Sequence, residues 1–443
     1  MKLKLTILAI VASIGSVVAE NPFITHIFTA DPTARVHDGK LFVYPSCDIV
    51  PEGAKSDKPG FYMPGYHIFS LENGNTWKDY GWLAKEADIE WTKKGADAMW
   101  APDCIEKDGK YYYFFPARCK EFKQRIGMGV SDSPTGPFKW QPTYMKDVMG
   151  IDPGLLLDDD NQAYMFFGSG DYLQVAPLSD DMTKVAKKPI QVEGLPTGFK
   201  EGAFPFKRNG LYYLTFAHIF NEEGFTLGYA TSDKPMGPYR YQGKIMDNIG
   251  DGTNHHSVVK YKDQWILFYH NWAISGMRKL RSICADYMEF NKNGTIKKVK
   301  PTLRGIGYPT LRDTIQIDRY SEISGAQTAF VSGGEPAGWM ICEAANKSHV
   351  NFTNVDFADG SATKMVARMA SGQRLGKIEV RKGNLTGDII ATFPIKHTGD
   401  WDSWVTVESD IQTKLTGLND LCVLFTSENG STKTANLNWL IIK

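Results

Sequence analysis

The sequence predicts an all-β chain, a five-bladed β-propeller followed by a β-sandwich of jelly-roll type. A short turn-plus-aromatic-strand segment recurs five times, at the spacing of one propeller blade. Two further octapeptides echo each other at matching places in their repeats. From about Thr314 the recurring hairpin stops and shorter strands take over.

The first copy is Asp38-Gly39-Lys40-Leu41-Phe42-Val43-Tyr44 and the second Asp108-Gly109-Lys110-Tyr111-Tyr112-Tyr113-Phe114. The third is Asp160-Asn161-Gln162-Ala163-Tyr164-Met165-Phe166, and the fourth Asn209-Gly210-Leu211-Tyr212-Tyr213-Leu214-Thr215. Lys262-Asp263-Gln264-Trp265-Ile266-Leu267-Phe268 is the fifth. Asp-Gly and Asn-Gly favour the left-handed backbone of tight hairpin turns, and the aromatic and branched residues after them favour strands. The spacing is about 50 residues, with one longer interval of about 70. The second echo pairs Ser131-Asp132-Ser133-Pro134-Thr135-Gly136-Pro137-Phe138 with Ser232-Asp233-Lys234-Pro235-Met236-Gly237-Pro238-Tyr239. Residues 20–308 are therefore expected to form the propeller. Residues 314–443 form the sandwich, with strand-like stretches at 348–352, 363–370, 421–426 and 437–442.

Lys plus Arg and Asp plus Glu each number 50, so no basic face for nucleic acid or anionic membrane is expected. A neutral polymer or a small neutral substrate fits that balance, and the expected state is a monomer. Met1-Lys2-Leu3-Lys4, an apolar stretch to Val18, and Val17-Val18-Ala19 read as a signal peptide over residues 1–19, directing the protein to the periplasm or outside the cell. No later stretch is long and apolar enough to span a membrane. Cysteines 47, 104, 119, 284, 342 and 422 lack metal-site spacing and read as buried thiols, with Cys342–Cys422 the one conceivable bridge.

Stepping back seven or eight residues from each hairpin turn gives Asp31, Trp100, Asp152, Glu201 and His255. The first strand of every blade lines the central channel, so these positions converge on the axis. One Asp beside Pro or Gly is ordinary turn chemistry, but three carboxylates at one repeat phase are not. Clustered carboxyls push their pKa values apart, giving a protonated acid beside an ionised base, as glycoside cleavage needs. An axial imidazole at His255 suits a hydrated cation or a carboxylate.

The segments Asp31-Pro32, Trp100-Ala101-Pro102-Asp103, Ile151-Asp152-Pro153-Gly154 and Lys200-Glu201-Gly202 resemble the marker segments of glycoside hydrolase family 43, in order over residues 22–308. The resemblance implies inverting hydrolysis with Asp31 as general base, Glu201 as general acid and Asp152 orienting and tuning the acid. In such sites acid and base stand roughly 6.5–9.5 Å apart. It further implies Trp100 as a sugar-stacking wall, Arg281 as a substrate-side cation, and His255 helping to hold calcium or sodium. One departure is Gly-Ala after Glu201, where the family often has Gly-Pro.

The C-terminal stretch is similar to a family 6 carbohydrate-binding module. It carries Ile315 to Tyr320, Asn354-Val355-Asp356-Phe357, Thr398 to Trp404, and Ala435 to Trp439. That resemblance implies sugar contacts at Trp401 and Asn436, with His349 where an aromatic is usual and Trp404 filling the core. It also implies a structural calcium, although the usual acidic positions read Gln316, Asp318 and Asn438, a poorer set for a hard cation. The implied activity is cleavage of plant cell-wall pentose polymers, α-L-arabinofuranosidase first, with β-xylosidase or endo-xylanase and arabinanase action as alternatives. No cofactor is needed for the chemistry. A non-catalytic sugar-binding protein on the same fold is the reading from another class.

Overall fold

The computed structural model describes residues 21–51, 60–72, 76–170, 172–219, 223–250, 253–307, 314–331, 338–427 and 433–443; the expected signal peptide lies outside them. Apart from one helical turn at Glu86–Asp88, the regular elements among these residues are strands, and no helix is long and apolar enough to cross a membrane.

Five antiparallel sheets come first, each following chain order. The first holds β1 (Thr29–His37), β2 (Lys40–Cys47), β3 (Gly65–Glu72) and β4 (Thr76–Lys85). The second holds β5 (Asp103–Lys107), β6 (Lys110–Arg118), β7 (Gln124–Ser131) and β8 (Lys139–Trp140). In the third are β9 (Gly154–Leu157), β10 (Ala163–Phe167), β11 (Gln174–Pro177) and β12 (Ile190–Gln191). The fourth has β13 (Phe199–Arg208), β14 (Leu211–Ile219), β15 (Phe225–Ser232) and β16 (Arg240–Met246). The fifth has β17 (Ser257–Tyr261), β18 (Gln264–Asn271) and β19 (Ser282–Met288).

All five expected hairpins join the first and second strands of a sheet. Asp38, Asp108 and Asn209 have φ near +50° and are followed by Gly39, Gly109 and Gly210 at φ 74°, 75° and 78°, the geometry that their dipeptides favour. The two octapeptide echoes link third to fourth strands, β7 to β8 and β15 to β16. The long first interval is the connection from Cys47 to Gly65.

The aromatic runs are buried on both faces because each sheet packs between two others. Tyr113 and Phe115 join Tyr44 and Tyr66 in a layer against the first sheet, whereas Tyr112 and Phe114 join Leu155 and Met165 against the third. Equivalent layers lie between third and fourth sheets, around Phe166 and Phe216, and between fourth and fifth, around Phe206 and Tyr269. A further layer, with Phe69, Trp77, Phe268 and Ile283, packs the fifth sheet on the first. Each fully buried aromatic or aliphatic side chain contributes about 1.5–3 kcal/mol. On the inner side, Arg35 of β1 bonds Asp103 of β5 through Nε (2.9 Å) and the Leu155 carbonyl of β9 (2.9 Å), and stacks over Phe204 of β13.

The C-terminal part is a two-sheet sandwich. One sheet runs β22 (Gln327–Val331), β23 (Gly338–Cys342), β30 (Asn436–Ile442), β25 (Lys364–Ala370) and β28 (Val405–Asp410), with β20 (Thr314–Gln316) also pairing β30. The other runs β21 (Glu322–Ser324), β24 (His349–Asp356), β29 (Leu418–Thr426), β26 (Lys377–Lys382) and β27 (Ile389–Pro394). Between them lies one core containing Ile315, Phe352, Phe393, Phe425 and Leu440. Cys342 and Cys422 lie in different sheets as buried thiols that are not joined, so the conceivable bridge is absent. Arg319 ties the sandwich to the first part by donating to the carbonyls of Asn21 (3.1 Å) and Leu303 (2.9 Å).

Candidate active site

One pocket of about 190 Å³ is lined by all five axial positions, Asp31, Trp100, Asp152, Glu201 and His255, together with Arg281 and Phe61. Their strands bring them together because each stands at or just before the start of an inner strand. Asp31 lies at a break in the β1–β2 register and Glu201 between two breaks in β13–β14. Asp31 and Asp152 have φ of 49° and 56°, left-handed values that re-aim a side chain off the regular pleat. A larger open cleft of about 820 Å³, where the fourth and fifth sheets meet Thr353 and Asn354 of the sandwich, holds none of these acids.

Asp31 is buried and fully engaged. Its Oδ2 accepts from Ser46 Oγ (2.8 Å), its Oδ1 from Arg281 Nη1 (3.1 Å), and its N–H donates to His270 Nδ1 (3.1 Å). Burial pushes its carboxyl up, but Arg281, His255, His270 and the Ser46 hydrogen bond together hold it below the usual carboxylate range. His270 must accept at Nδ1, so its proton is on Nε2, facing the Thr253 carbonyl at 3.1 Å. Burial, with Arg281 nearby, pushes that imidazole down to about 3 and keeps it neutral.

Glu201 moves the other way. Burial and the Asp31 carboxylate raise it, against smaller opposition from Lys200 and Arg281. Asp152 is raised well above the ordinary range by burial, then by Glu201 and Asp31, while its Oδ2 accepts the Gly202 N–H at 3.0 Å. Gly202 has φ 68°, and a Cβ there would stand 3.1 Å from His255 Nδ1, so glycine is required for the close approach. Within one pocket, Asp31 is thus held down and Glu201 pushed up, the directions that acid–base cleavage of a glycosidic bond calls for.

The sequence model of Glycosyl hydrolases family 43 matches residues 19–296. The chain belongs to glycosyl hydrolase family 43. It is a glycosidase, and residues 318–443 match the model of the family 6 carbohydrate-binding module. Xylosidase/arabinosidase 43A of Humicola insolens is 36% identical over 63% of this chain and 99% of its own length. An arabinoxylan arabinofuranohydrolase of Bacillus subtilis is 26% identical over 94% of this chain and 90% of its own length. Among solved structures, a β-xylosidase/α-arabinofuranosidase from a compost metagenome, in complex with xylotriose, is 35% identical. It covers 63% of this chain and 97% of its own, with a TM-score of 0.57.

The calcium implied by the module does not fit the donor side chains present. Among the described residues no group of three or more His, Cys, Asp or Glu side chains is placed to hold a metal ion. In the module, Asp318 is buried with its Oδ2 3.4 Å from Arg319 Nε, and Asn438 Oδ1 accepts from Arg368 Nη1 at 2.7 Å. Gln316 pairs through its backbone with Trp439. Two of the three expected donors thus face guanidinium groups.

The sugar contacts expected in the module divide. Trp401 is half-buried with Lys433 Nζ 4.3 Å above its ring, whereas Asn436 is 1% exposed and spends its Nδ2 on the Trp401 carbonyl. Asn436 thus supports Trp401 through its amide nitrogen, while its Oδ1 has no hydrogen-bond partner among the described residues. Trp404, expected in the core, is half-buried under Arg368 and outside the core cluster. Sequence reasoning missed Asp48, Phe61 and His270. Asp48 and His270 bond to pocket residues more than 230 positions away in sequence, brought together by the packing of the fifth sheet on the first.

Proposed function

We propose that this protein is an inverting, exo-acting glycosidase that removes terminal pentose units from xylan-type plant polymers, α-L-arabinofuranosyl units first. The observation that carries the reading is the opposite displacement of Asp31 and Glu201 within one small pocket. The Asp31 carboxylate takes a proton from water, which attacks the anomeric carbon. The glycosidic bond breaks as Glu201 gives its proton to the leaving oxygen. Asp152 orients the acid through the Gly202 amide. The pocket volume falls below the roughly 300–1,000 Å³ of sites for drug-sized ligands, which supports one terminal sugar ring over a polymer groove.

Five inner strands meeting at one pocket, and five apolar layers in a circle, support reading residues 20–308 as a five-bladed propeller and residues 314–443 as a sugar-binding module. Cleavage of β-D-xylosides is the second reading, favoured by relatives named for both xylosidase and arabinosidase action. A sugar-binding protein without activity would have no use for two carboxyls displaced in opposite directions within the same pocket. Hydrolysis of aryl α-L-arabinofuranoside and aryl β-D-xyloside by the purified protein tests the proposal and names the preferred sugar. If neither is cleaved, the pentose assignment fails.

A further inference from the structure

Arg281 is 2% exposed and lines the pocket, with Nη2 also 3.8 Å from the Sδ of pocket-lining Met63. Most of its guanidinium is committed to Asp48. Nε donates to Asp48 Oδ2 at 2.8 Å and Nη2 to Oδ1 at 2.9 Å, and the Arg281 backbone N–H adds a bond to Oδ2 at 2.9 Å. Such a two-pronged ion pair fixes the plane of the guanidinium as well as its position. The Phe61 ring covers one flat face, 3.9 Å from Cζ. What remains is Nη1, 3.1 Å from Asp31 Oδ1 and 3.5 Å from Thr253 Oγ1. Asp48 has no part in the pocket wall, and its side chain is fully buried.

We propose that Asp48 is a positioning residue for the hydrolysis, acting through Arg281 to hold Nη1 against the Asp31 carboxylate and the sugar. This rests on the reading of Asp31 as the general base. A buried aspartate has to overcome a heavy desolvation penalty, so its use here calls for more than packing. Asp48 also sets the charge balance, because two carboxylates share one guanidinium. The charged and titratable groups facing Asp48 are Arg281 and Asp31, with the Cys47 thiol beside it. Those facing Asp31 are Arg281, His255, His270, Asp152, Glu201 and the Tyr66 hydroxyl. Removing the Asp48 charge leaves Arg281 to Asp31 alone and removes one like charge from its surroundings, so Asp31 ionises at lower pH.

The experiment compares Asp48→Asn, Arg281→Lys, their double variant and Asp48→Glu, reading kcat, KM and the pH profile, with thermal unfolding as a check of fold. Displacing a positioning group costs about 10²-fold in rate. Asp48→Asn and Arg281→Lys should each fall by that order, and the double variant should fall no further, because both remove one unit. The acidic limb of Asp48→Asn should move to lower pH. Asp48→Glu keeps the charge but shifts the fork, so it should lose rate with its acidic limb in place, a result that serves even if the asparagine variant folds poorly. Full activity in Asp48→Asn or Asp48→Glu, or losses that multiply in the double variant, would overturn the proposal. Activity surviving in Asp31→Asn would instead remove the general base on which it rests.

Discussion

The backbone N–H of Gly202, the residue directly after Glu201, donates to Asp152 Oδ2 at 3.0 Å. The third and fourth sheets are thereby joined at the pocket, and the strand carrying Glu201 is held by the carboxyl that repels it electrostatically.

Asp152 should therefore tolerate an amide better than a methyl group. Asp152→Asn keeps an acceptor for Gly202, whereas Asp152→Ala leaves a buried N–H unpaired at a cost of about 1–3 kcal/mol. Steady-state kinetics should show the larger fall in kcat/KM for alanine, on the order of 10²-fold. Equal losses would mean that the Gly202 contact does not orient the acid.

Gly202→Ala places a Cβ against His255 in a left-handed backbone conformation. Such strain costs about 1–3 kcal/mol, and denaturant unfolding should show a loss of that size together with reduced activity.

Lys200 favours the ionised form of Glu201. Replacing it by glutamine removes that help, so the carboxyl keeps its proton to higher pH. The basic limb of the kcat/KM profile should then move upward, while the acidic limb, set by Asp31 on its way to protonation, stays in place. A downward shift of the basic limb would contradict the assignment of that limb to Glu201.

A chelator should leave the unfolding temperature unchanged. Asp318 already pairs with Arg319, which clamps the two parts of the chain, and Asn438 already accepts from Arg368. A fall of several degrees with EDTA, restored by calcium, would show that these oxygens serve a metal after all.

The hairpins were legible in the sequence because Asp-Gly and Asn-Gly turns act locally and the aromatic strands follow at once. Asp31, Trp100, Asp152, Glu201 and His255 were legible for a related reason, since a fixed phase within a repeat becomes a fixed place on the axis. Asp48 follows the end of β2 without a counterpart in the other copies, so no periodicity marks it. His270 sits on β18, a second strand of its sheet, and meets Asp31 through the packing of the fifth sheet on the first. The burial of Asn436 and the bond from its amide to the Trp401 carbonyl were not legible, because sequence position says nothing of burial. The calcium expectation failed on the same kind of detail, the arrival of Arg319 and Arg368 beside oxygens that the sequence leaves open.

The measurement that tests the account most directly compares Glu201→Gln and Asp31→Asn on two aryl glycosides, one with a poor leaving group and one with a dinitrophenyl leaving group. A general acid is needed only where the departing oxygen must be protonated, and its removal costs about 10²–10⁴-fold there. Glu201→Gln should lose that factor on the poor leaving group and keep most of its activity on the dinitrophenyl substrate, while Asp31→Asn should fail on both. Equal losses of Glu201→Gln on the two substrates, or an active Asp31→Asn, would contradict the assignment of acid and base.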